Sequence, residues 1–140
     1  MVNKGKIMEI TAINPPALAQ PRGYSQMITV SGARKTVYIG GQDAIDKNGE
    51  LVGEGDLGKQ TEQILINIEN ALAAINGTFE NVVKMTVYIV QGYDPRIGFA
   101  AFQHKFGVLK RPPVITVVFV AGLGSPKWLV EIDAIAVLEE

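Results

Sequence analysis

The sequence contains no cysteine and a single histidine, His104, in 140 residues. The first absence excludes a disulfide scaffold, Cys-based zinc sites, thiol catalysis and Cys-ligated iron–sulfur clusters. The second excludes multi-His metal sites, although one His could still serve a catalytic triad. Neither sign of charge is in excess. There are 13 Lys and Arg against 14 Asp and Glu, a net charge of −1, which leaves no basic footprint for nucleic acid. No apolar run reaches the ~18 residues of a membrane span. Met1–Ile10 carries Lys4 and Lys6 but no apolar stretch, so no secretory leader is expected. Repeats, low-complexity tracts and internal linkers are also missing. The expectation is one soluble, cytoplasmic domain over residues 1–140. It should use no metal or cofactor and bind neither nucleic acid nor membrane.

What is present is a hydrophobic fraction of 47% and a charged fraction of 19%, enough apolar material for a self-sufficient core. Met1 to Gln20 reads as a weakly ordered lead-in, broken by Asn14-Pro15-Pro16 and Gln20-Pro21. Tyr24–Val30 and Thr36–Ile39 read as strands joined through Ser31–Lys35 into a hairpin that ends at Gly40-Gly41. Asp46–Gly58 is a loop. Its Asp46-Lys47-Asn48-Gly49 start resembles a calcium loop, but the other ligands are missing, so it reads as a turn.

Leu57–Ile75 is the clearest helix, with Ile64, Leu65, Ile68, Leu72 and Ile75 at helical spacing. Asp56 is placed to cap its start, and Asn76-Gly77 to stop it with a left-handed residue. Val82–Val90 reads as a strand. Pro95–Phe106 reads as a second helix with Ile97, Ala101, Phe102 and Phe106 on one face. Val114–Val120, nearly all β-branched, reads as a central buried strand. Trp128–Leu138 alternates as the last strand. The order is β-β-α-β-α-β-β. A two-layer α+β fold follows, a mixed sheet with both helices on one face. The other face is too apolar to be left to water as a large patch, which predicts oligomerisation through it.

Five stretches in order at matching spacing resemble the RidA/YjgF family of reactive enamine/imine deaminases, also called the L-PSP endoribonuclease family. They are Pro21-Arg22-Gly23-Tyr24-Ser25-Gln26, Tyr38-Ile39-Gly40-Gly41-Gln42, Gln60-Thr61 with Asn67-Ile68 and Leu72, Val82–Tyr88, and Glu131–Ala136. The resemblance spans about Ala12 to Leu138. It implies a chorismate-mutase-like fold, a homotrimer and small-molecule clefts between subunits. In the deaminase branch an Arg follows an Arg-Pro-Ala segment and grips the substrate carboxylate, a task that suits a guanidinium fork. Here the segment is Arg111-Pro112-Pro113-Val114-Ile115-Thr116, and the matching position is Val114 or Ile115. Where the family often carries an Asn in the second helix, this chain has Phe99.

The resemblance implies that Glu131 positions or activates the attacking water and that Tyr24 closes over the ligand. Periodicity alone makes Glu131 a solvated acid on a strand face, and Tyr24 an interface aromatic. Gly40 and Gly41 either admit a ligand to the backbone or simply end a strand. Val114, Ile115, Thr116 and Phe99 would line the cleft. Arg111 is the nearest cation to the missing Arg, and the surface-loop reading is preferred for it. His104, Lys127, Arg34 and Arg96 read as solvated. The implied activity is hydrolysis of an enamine or imine to a ketone and ammonia, with weak or no use of 2-imino acids. The alternatives are a trimer that binds a small molecule without catalysis, or a specialised hydrolase of a degradation pathway. Ribonuclease activity ranks last, for want of a basic and aromatic stripe.

Overall fold

The first long helix starts where its side chains say it should. The Asp56 carboxylate accepts from the backbone N–H of Lys59 at 3.0 Å, which satisfies one of the free donors at the helix start. The computed structural model describes residues 7–140. The Met1–Lys6 part of the lead-in, and with it most of the stretch expected not to be a leader, lies outside the described residues. The elements are β1 (Glu9–Ile13), β2 (Met27–Ser31), β3 (Arg34–Gln42), α1 (Leu57–Ala73), a short 3₁₀ turn (Phe79–Asn81), β4 (Val82–Val90), α2 (Pro95–Phe106), β5 (Val114–Val120) and β6 (Val130–Glu139). Helix α1 closes as expected. Asn76 takes the left-handed φ of 61°, and the Gly77 N–H reaches back to the Leu72 carbonyl at 2.8 Å.

The strands form a mixed four-stranded sheet in the order β3-β6-β4-β5 and a separate two-stranded sheet of β1 and β2. Strand β6 lies antiparallel to both β3 and β4, and β5 lies parallel to β4 after the α2 crossover. Both helices cover one face. Ile64, Leu65, Ile68 and Leu72 of α1 pack with Ile39, Met85, Ile89, Ile132, Ala134 and Ala136 of the sheet into one core. Phe79, Phe102 and Phe106 form an aromatic cluster at its edge, with Phe79 and Phe106 stacked at 4.1 Å between ring centres. Among the described residues no helix is long and apolar enough to cross a membrane.

The structure corrects four expectations. The lead-in contains a strand, β1, which pairs with β2 from Glu9↔Ser31 to Ile13↔Met27. The expected hairpin of the second and third strands is therefore not formed. Gly32, at φ 88°, turns the chain out of β2, and β3 pairs with β6 instead. Strand β5 is an edge strand rather than a central one, with Val117 and Phe119 each 49% exposed. Its β-branched run reflects partial cover by α2 on one face, not burial on both. On α2 the buried face holds Phe102, while Ile97 is 49% exposed.

The uncovered face is also more polar than expected. Register places Tyr38, Ile135, Lys84 and Val114 in one row across it. Asp133, Thr86 and Thr116 form the next row, and Glu131, Tyr88 and Val118 the third.

Candidate active site

The third row ends at the edge where β3 runs out through Gly40-Gly41-Gln42. A Cβ built on Gly41 would lie 2.9 Å from the Glu131 carboxyl carbon and 2.9 Å from its Oε2. The space vacated at Gly41 is therefore filled by the Glu131 carboxyl. Gly40 meets nothing within 4 Å and leaves the backbone beside it open.

The next residue but one after Gly41 is Asp43, half-buried, and its carboxyl faces that of Glu131. Burial first, then the hydrogen bond to Glu131 and its charge, push the Asp43 carboxyl up from 3.8 to about 7. Two carboxylates are both acceptors, so they hydrogen-bond to one another only when one keeps a proton. Asp43 Oδ1 is buried without a partner among the described residues. Across the strand from Glu131, the Tyr88 hydroxyl donates to Asp133 Oδ2 at 3.4 Å. The Asp133 charge, above all, raises the phenol.

Helix α1 fixes this corner. Asn67 Nδ2 donates to the carbonyls of Asp43 (3.1 Å) and Ile45 (2.9 Å), and Gln63 Nε2 holds the Asn67 amide oxygen at 2.9 Å. One turn earlier, Gln60 has no exposed surface. It donates to the carbonyls of Gly53 and Lys127, and its Oε1 accepts from the Leu129 N–H at 2.9 Å. The polar residues of the helix motif thus anchor the loop after β3 and the entry to β6. Beyond Asp43 the loop turns through Asp46, whose Oδ1 accepts from the N–H groups of Asn48 and Glu50. This is an Asx turn.

The remaining candidates lie elsewhere. Tyr24 lines a cavity of about 260 Å³ with Phe99, Phe102, Gln103, Leu109 and Pro112. Ser25 ties this segment to the start of β5, its N–H donating to the Pro113 carbonyl at 3.0 Å and its hydroxyl to that of Pro112. The Phe99 ring rests on Gly23, where a Cβ would come within 2.7 Å of it. Ile115 points to the helix side, into an apolar gap of about 80 Å³ with Phe99, Met85, Val117 and Ile132. Val114 and Thr116 share the uncovered face with Glu131. The Val114 row, however, is four residues from the Glu131 row, about 13 Å along the strands. Arg111 is half-buried rather than free at the surface. It donates to the Glu80 carbonyl, at the Val114 end of the sheet. Within one chain the candidates therefore form two groups, Gly40, Gly41 and Glu131 at one end, and Tyr24, Phe99, Arg111 and Val114 at the other.

Asp43, Gln60 and Asn67 were not singled out for the site. Gln60 and Asn67 gave a signal, as amides set among the apolar residues of α1. Asp43 gave only a faint one, an acid next to Ala44-Ile45 in a loop.

A sequence model of the family described as Endoribonuclease L-PSP matches residues 14–138. A RutC family protein of Pyrococcus horikoshii is 39% identical over 118 residues, covering 83% of this chain and 87% of that protein. A 2-iminobutanoate/2-iminopropanoate deaminase of Bos taurus is 38% identical over 81 residues, covering 57% of this chain and 55% of that protein. Among solved structures, a Rid family protein of unknown function from Yersinia pestis superposes with a TM-score of 0.80 at 32% identity, covering 92% of this chain and 98% of that one.

Proposed function

The chain belongs to the endoribonuclease L-PSP family, the family of the RutC and Rid proteins, and on that premise we propose that it hydrolyses a reactive imine or enamine that carries no carboxylate beside the reacting carbon. The observation that carries this is the Glu131 carboxyl, set into the Gly41 space beside Asp43 at an open strand end. Water adds to the carbon of a protonated imine as its oxygen–carbon bond forms. The C=N pair moves to nitrogen, and the water proton goes to Glu131. Glu131 then returns that proton to the nitrogen and takes the one on the new hydroxyl. The C–N bond breaks to give ketone and ammonia, and the ammonia carries the last proton away. A positioned carboxylate in such a step contributes roughly 10²–10⁴-fold.

Substrate choice follows from Val114. A carboxylate brought to it would lose water without gaining a counter-charge, a cost of several kcal/mol. Arg111 is held to the Glu80 carbonyl through Nη2, while its Nη1 is buried without a partner among the described residues. The two groups of candidate residues suggest a site completed by a second copy, with Tyr24 of one subunit closing over the Glu131 end of another. The 78% exposed Tyr38 on the uncovered face fits a homotrimer built through that face. The lack of cysteine fits a cytoplasmic setting.

The test supplies 2-iminopropanoate from alanine with an amino-acid oxidase and carboxylate-free imines from primary amines with a flavin amine oxidase, and follows release of ammonia. Turnover of carboxylate-free imines well above that of 2-iminopropanoate is expected. Equal or better turnover of 2-iminopropanoate overturns the specificity. Binding without turnover of any imine returns the chain to a ligand carrier. A monomer by light scattering at micromolar concentration overturns the shared site.

A further inference from the structure

We propose that Asp43 is a positioning residue for the reaction, holding through the chemical cycle a proton that it donates to Glu131. This rests on the reading of Glu131 just given. The geometry supports it at three points. The backbone at Asp43 is held by the two Asn67 hydrogen bonds and by the fully buried Ala44 that follows, so the carboxyl is presented from a fixed base. The Glu131 carboxyl is confined on its other side by Gly41. Neither carboxyl is in an ion pair among the described residues, and Asp43 Oδ1 is buried without a partner among them, so a proton held between the two relieves the contact.

The ionisable groups around the couple act in one direction. Glu131 comes from β6. Tyr88 on β4 faces it across the strands, and Asp133, two residues along β6, accepts from the Tyr88 hydroxyl. All are acidic or phenolic, none brings a positive charge, and the Glu131 charge favours keeping a proton on Asp43. The consequence for catalysis is orientational. With its proton in place, Asp43 pins one Glu131 oxygen and leaves the other to take the proton from water. Without it, the two carboxylates repel and Glu131 loses its position. The reaction itself balances through Glu131 alone, and Asp43 ends each turnover with the proton it began with.

Two measurements test this, one of which needs no substrate. Carbon-13 NMR of the resting protein should show the Asp43 carboxyl titrating near pH 7, and moving clearly lower in Glu131→Gln. Titration of Asp43 near pH 4 in the unaltered protein overturns the proposal, whatever the activity assays give. Where turnover is found, kcat should fall as pH rises through about 7. Asp43→Ala should lose at least tenfold in kcat. Asp43→Asn, whose amide can still donate, should recover most of that loss and abolish the alkaline fall. An unchanged pH profile in Asp43→Asn, or equal loss in both variants, overturns the proposal while leaving the role of Glu131 intact. Loss of activity confined to Glu131→Gln would do the same.

Discussion

The Glu131 carboxyl group sits where a side chain at Gly41 would be, with 2.9 Å between its carboxyl carbon and the Cβ position of that glycine. Real Cβ atoms do not tolerate such a separation from a neighbouring carbon. The pairing therefore makes residue 41 a constraint on the acid and not only on the backbone of β3.

Gly41→Ala should accordingly disable the site without unfolding the protein. The methyl group must push the Glu131 carboxyl away from Asp43. Displacements on the order of 1 Å at a reacting group cost up to about 10²-fold in rate. A fall in kcat/KM of at least tenfold is expected, with the far-ultraviolet circular dichroism unchanged. Gly40→Ala, which meets nothing within 4 Å, is the control, and equal activity in the two variants would refute the constraint.

Stability should carry the signature of Asp43. Its carboxyl titrates near 7 in the folded chain against 3.8 ordinarily. Between these values the folded state holds the extra proton, so this contribution to stability declines as pH rises and is gone above about 7. Asp43→Asn removes the titration. The melting temperature of the variant relative to the parent should therefore climb from pH 4 to pH 7 and level off beyond. A difference that is flat over that range would contradict it.

Arginine should be useful at one of two adjacent positions and harmful at the other. Val114 lies on the face left uncovered within one chain, so Val114→Arg should leave the subunit fold intact and gain turnover of 2-iminopropanoate. Ile115 points into the apolar gap beneath α2. Ile115→Arg should cost ~3 kcal/mol or more by burying an unpaired charge. Urea denaturation and the ammonia assay separate the two. Gain of activity at 115 alone would reverse the assignment of faces.

Gln60→Ala should be among the costliest polar substitutions in the chain. It strands the Gly53 and Lys127 carbonyls and the Leu129 N–H in a region with no exposure at residue 60. The Leu129 N–H is buried and the two carbonyls only partly so; at roughly 1–3 kcal/mol for a buried group left unsatisfied and less for the other two, a loss of about 2–4 kcal/mol in urea denaturation is expected. A loss below about 1 kcal/mol would mean that water reaches the amide.

The elements whose boundaries were legible are those in which local pattern and tertiary role coincide. Helix α2 and strands β4 and β5 run over the residues that periodicity and β-branching mark, and α1 starts at Leu57 as its cap requires. Strand β1 was hidden because its five residues precede Asn14-Pro15-Pro16, whose turn chemistry dominates the stretch. Pairing was the larger loss. A turn at Gly32 shows that the chain changes direction, but not that β1 and β6, rather than each other, are the partners of β2 and β3. The edge position of β5 was invisible for a related reason. Ile115 and Val117 need cover on one face only, and a run of Val and Ile looks the same whether one face or both are covered. At the site, Glu131 came into view through family resemblance. The Asp43 contact depends on loop geometry set by Asn67, 24 residues away in sequence.

Strand β6 supplies the antiparallel partner of both β3 and β4, yet it follows every other strand in the chain. During synthesis β3 and β4 emerge before β6, with no strand yet present to lie between them. Only the late arrival of residues 130–139 can close the sheet. Pairings as distant as Arg34 with Glu139 slow folding. They also leave open strand edges exposed until β6 arrives, the stage at which an edge is most open to pairing with another chain.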